Sequence, residues 1–244
     1  MALLILAAAG ILYLLATGIP KAYRPAQLSA DERREVAYNE FSPHAMAFGN
    51  PPEWDQPYTW SVTEERLNRY LASADEIAAI PPQREPGEVY RMMERAGLAE
   101  PAVALRDGVL KLMVRTTKYN KILSADVSFA FTADKRLSIH LAAVRVGHLP
   151  IPKSQVQSML EELRQKLATG GPSGQGHGSA AAFEAGPSEH AARLLAAIVS
   201  AIDKEPIDTE LPISRRTVRI EGIDIADGRL TVRIAPAGRD APDR

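Results

Sequence analysis

The stretch Val103-Ala-Leu-Arg-Asp107-Gly108-Val-Leu110-Lys-Leu112-Met-Val114-Arg115 decides the fold. Leu110, Leu112 and Val114 alternate with Lys111, Met113 and Arg115, and Asp107-Gly108 ahead of them has the form of a two-residue hairpin turn. Such a turn needs a left-handed backbone at both central residues, which Asp and Gly tolerate. The same period of two recurs outward from it. Val127, Phe129 and Phe131 alternate with Asp126, Ser128 and Ala130, Ala133 to Arg136 turns the chain, and Leu137, Ile139 and Leu141 alternate with Ser138 and His140. Val144 and Val146 continue on the opposite phase, which predicts a bulge near Ala142. These four successive strands predict an antiparallel meander. Later, Val218, Ile220, Ile223 and Ile225 lead into Asp227-Gly228, and Leu230, Val232 and Ile234 return as a further hairpin.

Helical spacing flanks the strands. Ser61-Val-Thr-Glu64 has the form of a capping box, with Leu67, Tyr70 and Leu71 on one face of the helix it would open. Glu88 to Arg95 predicts a second helix, ended by Gly97. Pro150 and Pro152 stop the meander and open a third over 152–168, with Val156, Met159, Leu160, Leu163 and Leu167 as its stripe. A fourth spans 187–203 through Leu194, Leu195, Ile198, Val199 and Ile202, and the Gly- and Ser-rich 169–182 between them predicts a flexible insertion. The expected class is therefore α+β, with a curved antiparallel sheet of about six strands packed against amphipathic helices over 61–235 and a disordered tail over 236–244.

From Ala2 to Ile19 the chain carries no charged residue. A bilayer core of about 30 Å, at about 1.5 Å per helical residue, calls for roughly 20 apolar residues and about 17 at least. Residues 1–20 thus read as a transmembrane signal-anchor. Ala16-Thr17-Gly18 has the small-x-small form of a cleavage site, yet the apolar run is longer than a cleaved signal needs and no basic residue precedes it. Lys21 and Arg24 come directly after the run. Taken literally, the positive-inside rule keeps the downstream chain in the cytoplasm, but long domains translocate largely regardless of charge, so an extracytoplasmic, single-pass placement is the expectation. Residues 21–60, rich in Pro and aromatics, read as a juxtamembrane spacer with a short helix around Ala30 to Tyr38, and Trp54, Tyr58 and Trp60 as staples to the domain.

Twenty-nine basic residues against 30 acidic leave a net charge of −1, which removes the electrostatic footprint of a nucleic-acid binder. The absence of cysteine excludes disulfides, thiolate metal sites and cysteine nucleophiles. His44, His140, His148, His177 and His190 stand in no metal-ligand spacing, so no metal is expected. Gly174-Gln-Gly176-His-Gly178 follows a predicted helix instead of a strand, which argues against a phosphate loop. Ser173 lacks the nucleophile elbow, and Glu161-Glu162 sit on an ordinary solvated helix face. Neither an enzyme nor a cofactor is expected. Lys111, Arg115, Lys118, Lys121, Arg215, Arg216 and Arg219 could touch acidic lipid headgroups, but read better as charges that keep sheet edges from pairing.

The alternation places Leu110, Leu112, Phe129, Phe131, Ile139, Leu141, Val232 and Ile234 on one apolar sheet face. Full cover by the helices over 152–168 and 187–203 makes that face a core, whereas partial cover leaves a groove suited to an acyl chain. The periodicity leaves both open.

The order strand, turn, strand from Asp126, then Val146-Gly-His-Leu-Pro-Ile-Pro152 and an amphipathic helix to Leu160, with Ile207-Asp-Thr-Glu-Leu-Pro212, Ile223-Asp-Ile225 and Asp227-Gly-Arg-Leu230, resembles the YpmS-like family of bacterial single-pass membrane proteins. Ser61 to Leu71, with Asn68 before Tyr70-Leu71, is similar to the helix that opens such domains and those of some tubular lipid-binding relatives. The resemblance covers about half the chain, without a catalytic signature, and the insertion at 169–182 departs from its pattern. It implies an anchored extracytoplasmic domain with a curved sheet, and carries over no functional residues. Together with the alternating strands it leads to the expectation of a non-enzymatic, membrane-anchored envelope protein binding a lipid or other apolar ligand on the sheet face. The alternative is a protein-interaction or scaffolding module of an envelope assembly.

Overall fold

The computed structural model describes residues 15, 17–49, 56–80, 87–158, 161, 206–213 and 216–237, and structural statements below concern these. Along the chain run β1 (Tyr58–Thr63), β2 (Leu98–Arg106), β3 (Val109–Thr116), β4 (Ile122–Phe131), β5 (Leu137–Val146), β6 (Leu149–Pro150), β7 (Glu210–Ile213), β8 (Arg216–Ala226) and β9 (Arg229–Pro236). They make two antiparallel sheets, one five-stranded in the order β2-β3-β4-β5-β6 and one four-stranded in the order β1-β9-β8-β7. The fold is α+β, but the single sheet expected from the alternation is two. The hairpins are where periodicity puts them. Asp107 and Gly108 have φ of 52° and 75°, and Asp227 and Gly228 of 51° and 71°, the left-handed pair that such turns demand. Ala142 is skipped in the β4–β5 register, Asp126 facing Ala143 and Val127 facing Leu141, which is the bulge that the change of phase predicts. A second register shift between Ile220 and Gly222 gives β8 the same change of phase.

The two-sheet arrangement turns on β1. Tyr58, Trp60 and Val62 face Ile234, Val232 and Leu230 of β9, so the stretch read as the end of a spacer is a strand, and a core with Val62 fully buried forms around it. Ser61 is consequently a strand residue opposite Thr231 and not the cap of a helix. Thr63 takes that role for the helix Glu64–Ala72, its hydroxyl accepting the Arg66 N–H at 3.2 Å.

The rest of the presumed spacer is also folded. Ser29 and Glu32 form a true capping box for the helix Ala30–Glu35, the Glu32 carboxylate accepting the Ser29 N–H at 2.7 Å. The chain continues through a π-helical segment, Val36–Phe41, into the helix Ser42–Gly49. Val36 and Ala37 are completely buried, Val36 against Val62 and Tyr70. The segment 30–49 therefore belongs to the folded domain and contributes Val36 and Ala37 to its core.

The helix Glu64–Ala72 lies along β2, the outer strand of the five-stranded sheet. Asn68, buried on that helix, donates to the Val103 carbonyl at 3.0 Å and accepts the Val103 N–H at 2.8 Å. One amide side chain thus replaces a neighbouring strand. The Glu64 carboxylate accepts the Leu105 N–H at 2.8 Å, and the Tyr23 hydroxyl donates to the Glu100 carbonyl at 2.8 Å. Much of an edge that would otherwise present free backbone groups is covered by side chains.

The helix Glu88–Arg95 has the predicted bounds, with Gly97 beyond it at φ 70°. Asp75 caps it from a distance, its carboxylate accepting the Val89 and Tyr90 N–H groups at 2.7 and 3.2 Å. Residues 153–158 are helical. Apart from residue 161, the rest of the expected helix to 168, the insertion 169–182, the helix 187–203, Trp54 and the tail beyond 237 lie outside the described residues. So does most of the apolar run Ala2 to Ile19. Among the described residues no helix is long and apolar enough to cross a membrane.

Candidate functional site

The register of the five-stranded sheet shows which expected site residues share a face, because residues directly opposite one another point the same way. Leu105, Leu110, Val127 and Leu141 form one row, Phe129 and Ile139 the next, and Phe131 and Leu137 a third. On the other side of the first row stand Val103, Leu112, Ala125 and Val144, then Val114, Leu123 and Val146. Leu110, Phe129, Phe131, Ile139 and Leu141 pack with Val127 and Leu137 beneath Ile207 and Ile223. Ile207 is fixed there by exchanging both backbone hydrogen bonds with Leu137 at 2.8 Å. In this half Val127, Leu137 and Ile139 are buried, and Leu110, Phe129, Phe131 and Leu141 partly so. Leu112, one row beyond it, is 44% exposed, and Val114, Leu123, Val144 and Val146 around it are only partly buried.

Val232 and Ile234 are not on this face. They lie on β9 and pack with Val218 against Phe48, Tyr58 and Trp60 in the second sheet's core. Alternation sorts residues within a strand, but which sheet a strand joins is decided by non-local pairing, here with β1.

The opposite face of the five-stranded sheet is partly polar. Asp126 on β4 is flanked by Lys111 on β3 and Arg145 on β5, both ion-paired to it. Burial alone would raise its pKa, but hydrogen bonds from Arg145 and Lys111 outweigh that and hold it below the usual carboxylate value. Beside this triad Ala102, Ala104, Met113 and Ile122 form a small core under Ala22 and Tyr23. Burial, reinforced by the Glu100 carboxylate, pushes the Tyr23 hydroxyl up to about 12. The end of the apolar run is therefore docked on the sheet, and the Leu15 carbonyl also accepts the His148 N–H at 2.8 Å.

Where the Asp107-Gly108 and Asp227-Gly228 turns meet the start of the helix Glu64–Ala72, the Glu64 N–H donates to the Gly228 carbonyl at 2.7 Å and the Gly108 N–H to the Ile225 carbonyl at 3.0 Å. Next to this junction is a cleft of about 260 Å³ lined by Lys21, Ala22, Arg24, Glu64 and Arg106. The Arg106 guanidinium lies 3.0 Å from the Glu64 carboxylate.

The other chemistry considered from sequence resolves structurally. His44 stacks on Trp60 with ring centroids 4.6 Å apart, its Nε2 3.0 Å from the Ser61 carbonyl and its Nδ1 3.0 Å from the Tyr70 hydroxyl. The carbonyl can only accept, so Nε2 carries the proton and Nδ1 can receive the tyrosine's. Burial lowers the His44 pKa, against the Ser61 carbonyl, which raises it. His140 and His148 are exposed, and His177 and His190 lie outside the described residues. Among the described residues no three His, Asp or Glu side chains are grouped to hold a metal ion. Of the basic set, Lys111 pairs with Asp126, Arg115 with Glu100, and Arg219 with Glu210 at 2.6 Å, while Lys118 lies 5.1 Å over the Tyr119 ring. Lys111 and Arg115 stand on an interior strand, so the edge-guarding role assigned to them does not apply. Sequence reasoning missed the Lys21, Arg24 and Arg106 cluster, whose members lie far apart in the chain.

No family model, no curated protein and no solved structure matches this chain.

Proposed function

We propose that this chain is a non-enzymatic, membrane-anchored extracytoplasmic module that holds an apolar ligand of the lipid class on its five-stranded sheet. The observation that carries this is the uneven cover of one sheet face among the described residues, packed beneath Ile207 and Ile223 at one end and with Leu112 44% exposed at the other. An apolar strip continuous with a packed core is the kind of surface on which an acyl chain gains burial without displacing polar groups. The apolar run ahead of Lys21 and the likeness to YpmS-like proteins support the same placement. A photoactivatable fatty acid added to membranes containing the full chain tests it. Labelling is expected on β3 and β5 around Leu112 and Val144 and is reduced severalfold by Leu112→Lys. Labelling that ignores this substitution sinks the proposal.

A scaffolding role is the second reading. Tyr38 and Met46, 57% and 69% exposed on the helical stretch 30–49, favour it as apolar anchors of the kind that protein contacts use. Crosslinkers placed at these two positions would then capture one defined protein, and diffuse products would dismiss it.

A further inference from the structure

We infer that the cleft formed by Lys21, Arg24 and Arg106 is a binding site for the phosphate of an anionic phospholipid headgroup. This rests on the membrane-anchor reading of Ala2 to Ile19 and is independent of the sheet-face ligand. Three cationic side chains and one carboxylate line the cleft. That carboxylate, Glu64, is engaged by the Leu105 N–H and by Arg106. Among the described residues Lys21 and Arg24 have no ion-pair partner, and both are exposed. The cleft therefore carries an uncompensated positive charge from Lys21 and Arg24, set beside the Arg106–Glu64 pair. Its volume of about 260 Å³ exceeds several times the roughly 30 Å³ that one water occupies in the liquid, so it has room for a hydrated phosphate group.

Its place along the chain selects the source of that phosphate. Ile19 ends the apolar run and is 67% exposed. Two residues of extended chain reach about 7 Å at most, and the headgroup layer occupies about 5–7 Å on each side of the hydrocarbon core. Lys21 thus lies within about 7 Å of the end of the apolar run. The turn closed by the Tyr23 N–H on the Pro20 carbonyl at 2.9 Å and the docking of Ala22 and Tyr23 on the sheet hold Lys21 and Arg24 against Arg106. A basic segment of this kind gains affinity for anionic lipid with each cation near the surface.

The test uses the full chain in a non-ionic detergent, titrated calorimetrically with dihexanoyl phosphatidylglycerol, with dihexanoyl phosphatidylcholine and with inorganic phosphate. Saturable binding of the phosphatidylglycerol is expected, weakened about fivefold by Lys21→Gln or Arg24→Gln and about 25-fold by the pair. Leu112→Lys is expected to leave it unchanged while reducing acyl labelling severalfold, so failure of the sheet-face reading and failure of this one are separable. Unchanged affinity in the double variant overturns the site. Equal affinity for phosphatidylcholine removes the charge argument, and equal affinity for inorganic phosphate removes the lipid as its source. Recovery of the wild-type chain outside the membrane fraction overturns the anchor reading, and with it this assignment.

Discussion

Asn68 shows how much one side chain can decide. Its amide occupies both backbone groups of Val103, so Asn68→Ala strands a buried N–H and a buried C=O, at a cost of about 1–3 kcal/mol for each. Urea unfolding of the variant measures this, and a loss under about 1 kcal/mol would show that water replaces the amide. Leu105, with no exposed surface, is expected to lose about 2–5 kcal/mol on truncation to Ala. His44 predicts a pH response. Its folded pKa lies below the ordinary histidine value of 6.5, so its contribution to stability is complete above that value and falls as pH drops through it, because the unfolded chain takes up the proton first. Asp126 acts lower on the scale. Its folded pKa is below 3.8, and its ion pairs stabilise the fold above that pH and are lost as acid protonates the carboxylate. Stability followed from neutral pH into acid should fall in two stages, with His44→Phe removing only the upper one. A single stage in the wild type contradicts the assignment.

Among elements, the hairpins were the most legible. Asp107-Gly108 and Asp227-Gly228 carry their left-handed conformation in their residue types, and the change of phase at Ala142 signals a bulge that needs no distant information, whereas the one between Ile220 and Gly222 was not expected. Gly108→Ala forces a Cβ into the left-handed region and is expected to cost roughly 1–2 kcal/mol. Gly228→Ala should cost about the same, since the Cβ there comes within 3.3 Å of only the mobile end of Arg106, and the one at Gly108 meets open space. Comparative thermal unfolding of the two variants checks this, and a clearly larger loss at Gly228 would show that Arg106 cannot give way. What alternation could not show is the partner of each face. Leu110 and Leu112 are in the same phase two residues apart, yet one lies in the core with Ile223 and the other is exposed. The difference is made by a strand more than a hundred residues later. For the same reason β1 escaped detection. Tyr58, Trp60 and Val62 alternate over only six residues, between prolines and a helix start, and their pairing with β9 leaves no local mark.

At the scale of the molecule, the segment 30–49 is the largest revision. Val36 and Ala37 are as buried as any residue in the sheets, so a chain beginning at Ser61 is expected to lose cooperative unfolding, whereas one beginning at Lys21 keeps it. Near-UV circular dichroism and urea titration of the two chains decide the matter, and a well-packed product from Ser61 onward would refute the claim. The cleft of Lys21, Arg24 and Arg106 was illegible for a related reason, since it exists only because the chain ahead of the domain folds back onto β2. The Leu15 carbonyl on His148 and the Tyr23 hydroxyl on Glu100 bracket that return. Their mechanical meaning is that the joint has no slack. A pull on Leu15 is passed straight to the sheet through His148, and one on Tyr23 through Glu100, before any spacer can absorb it.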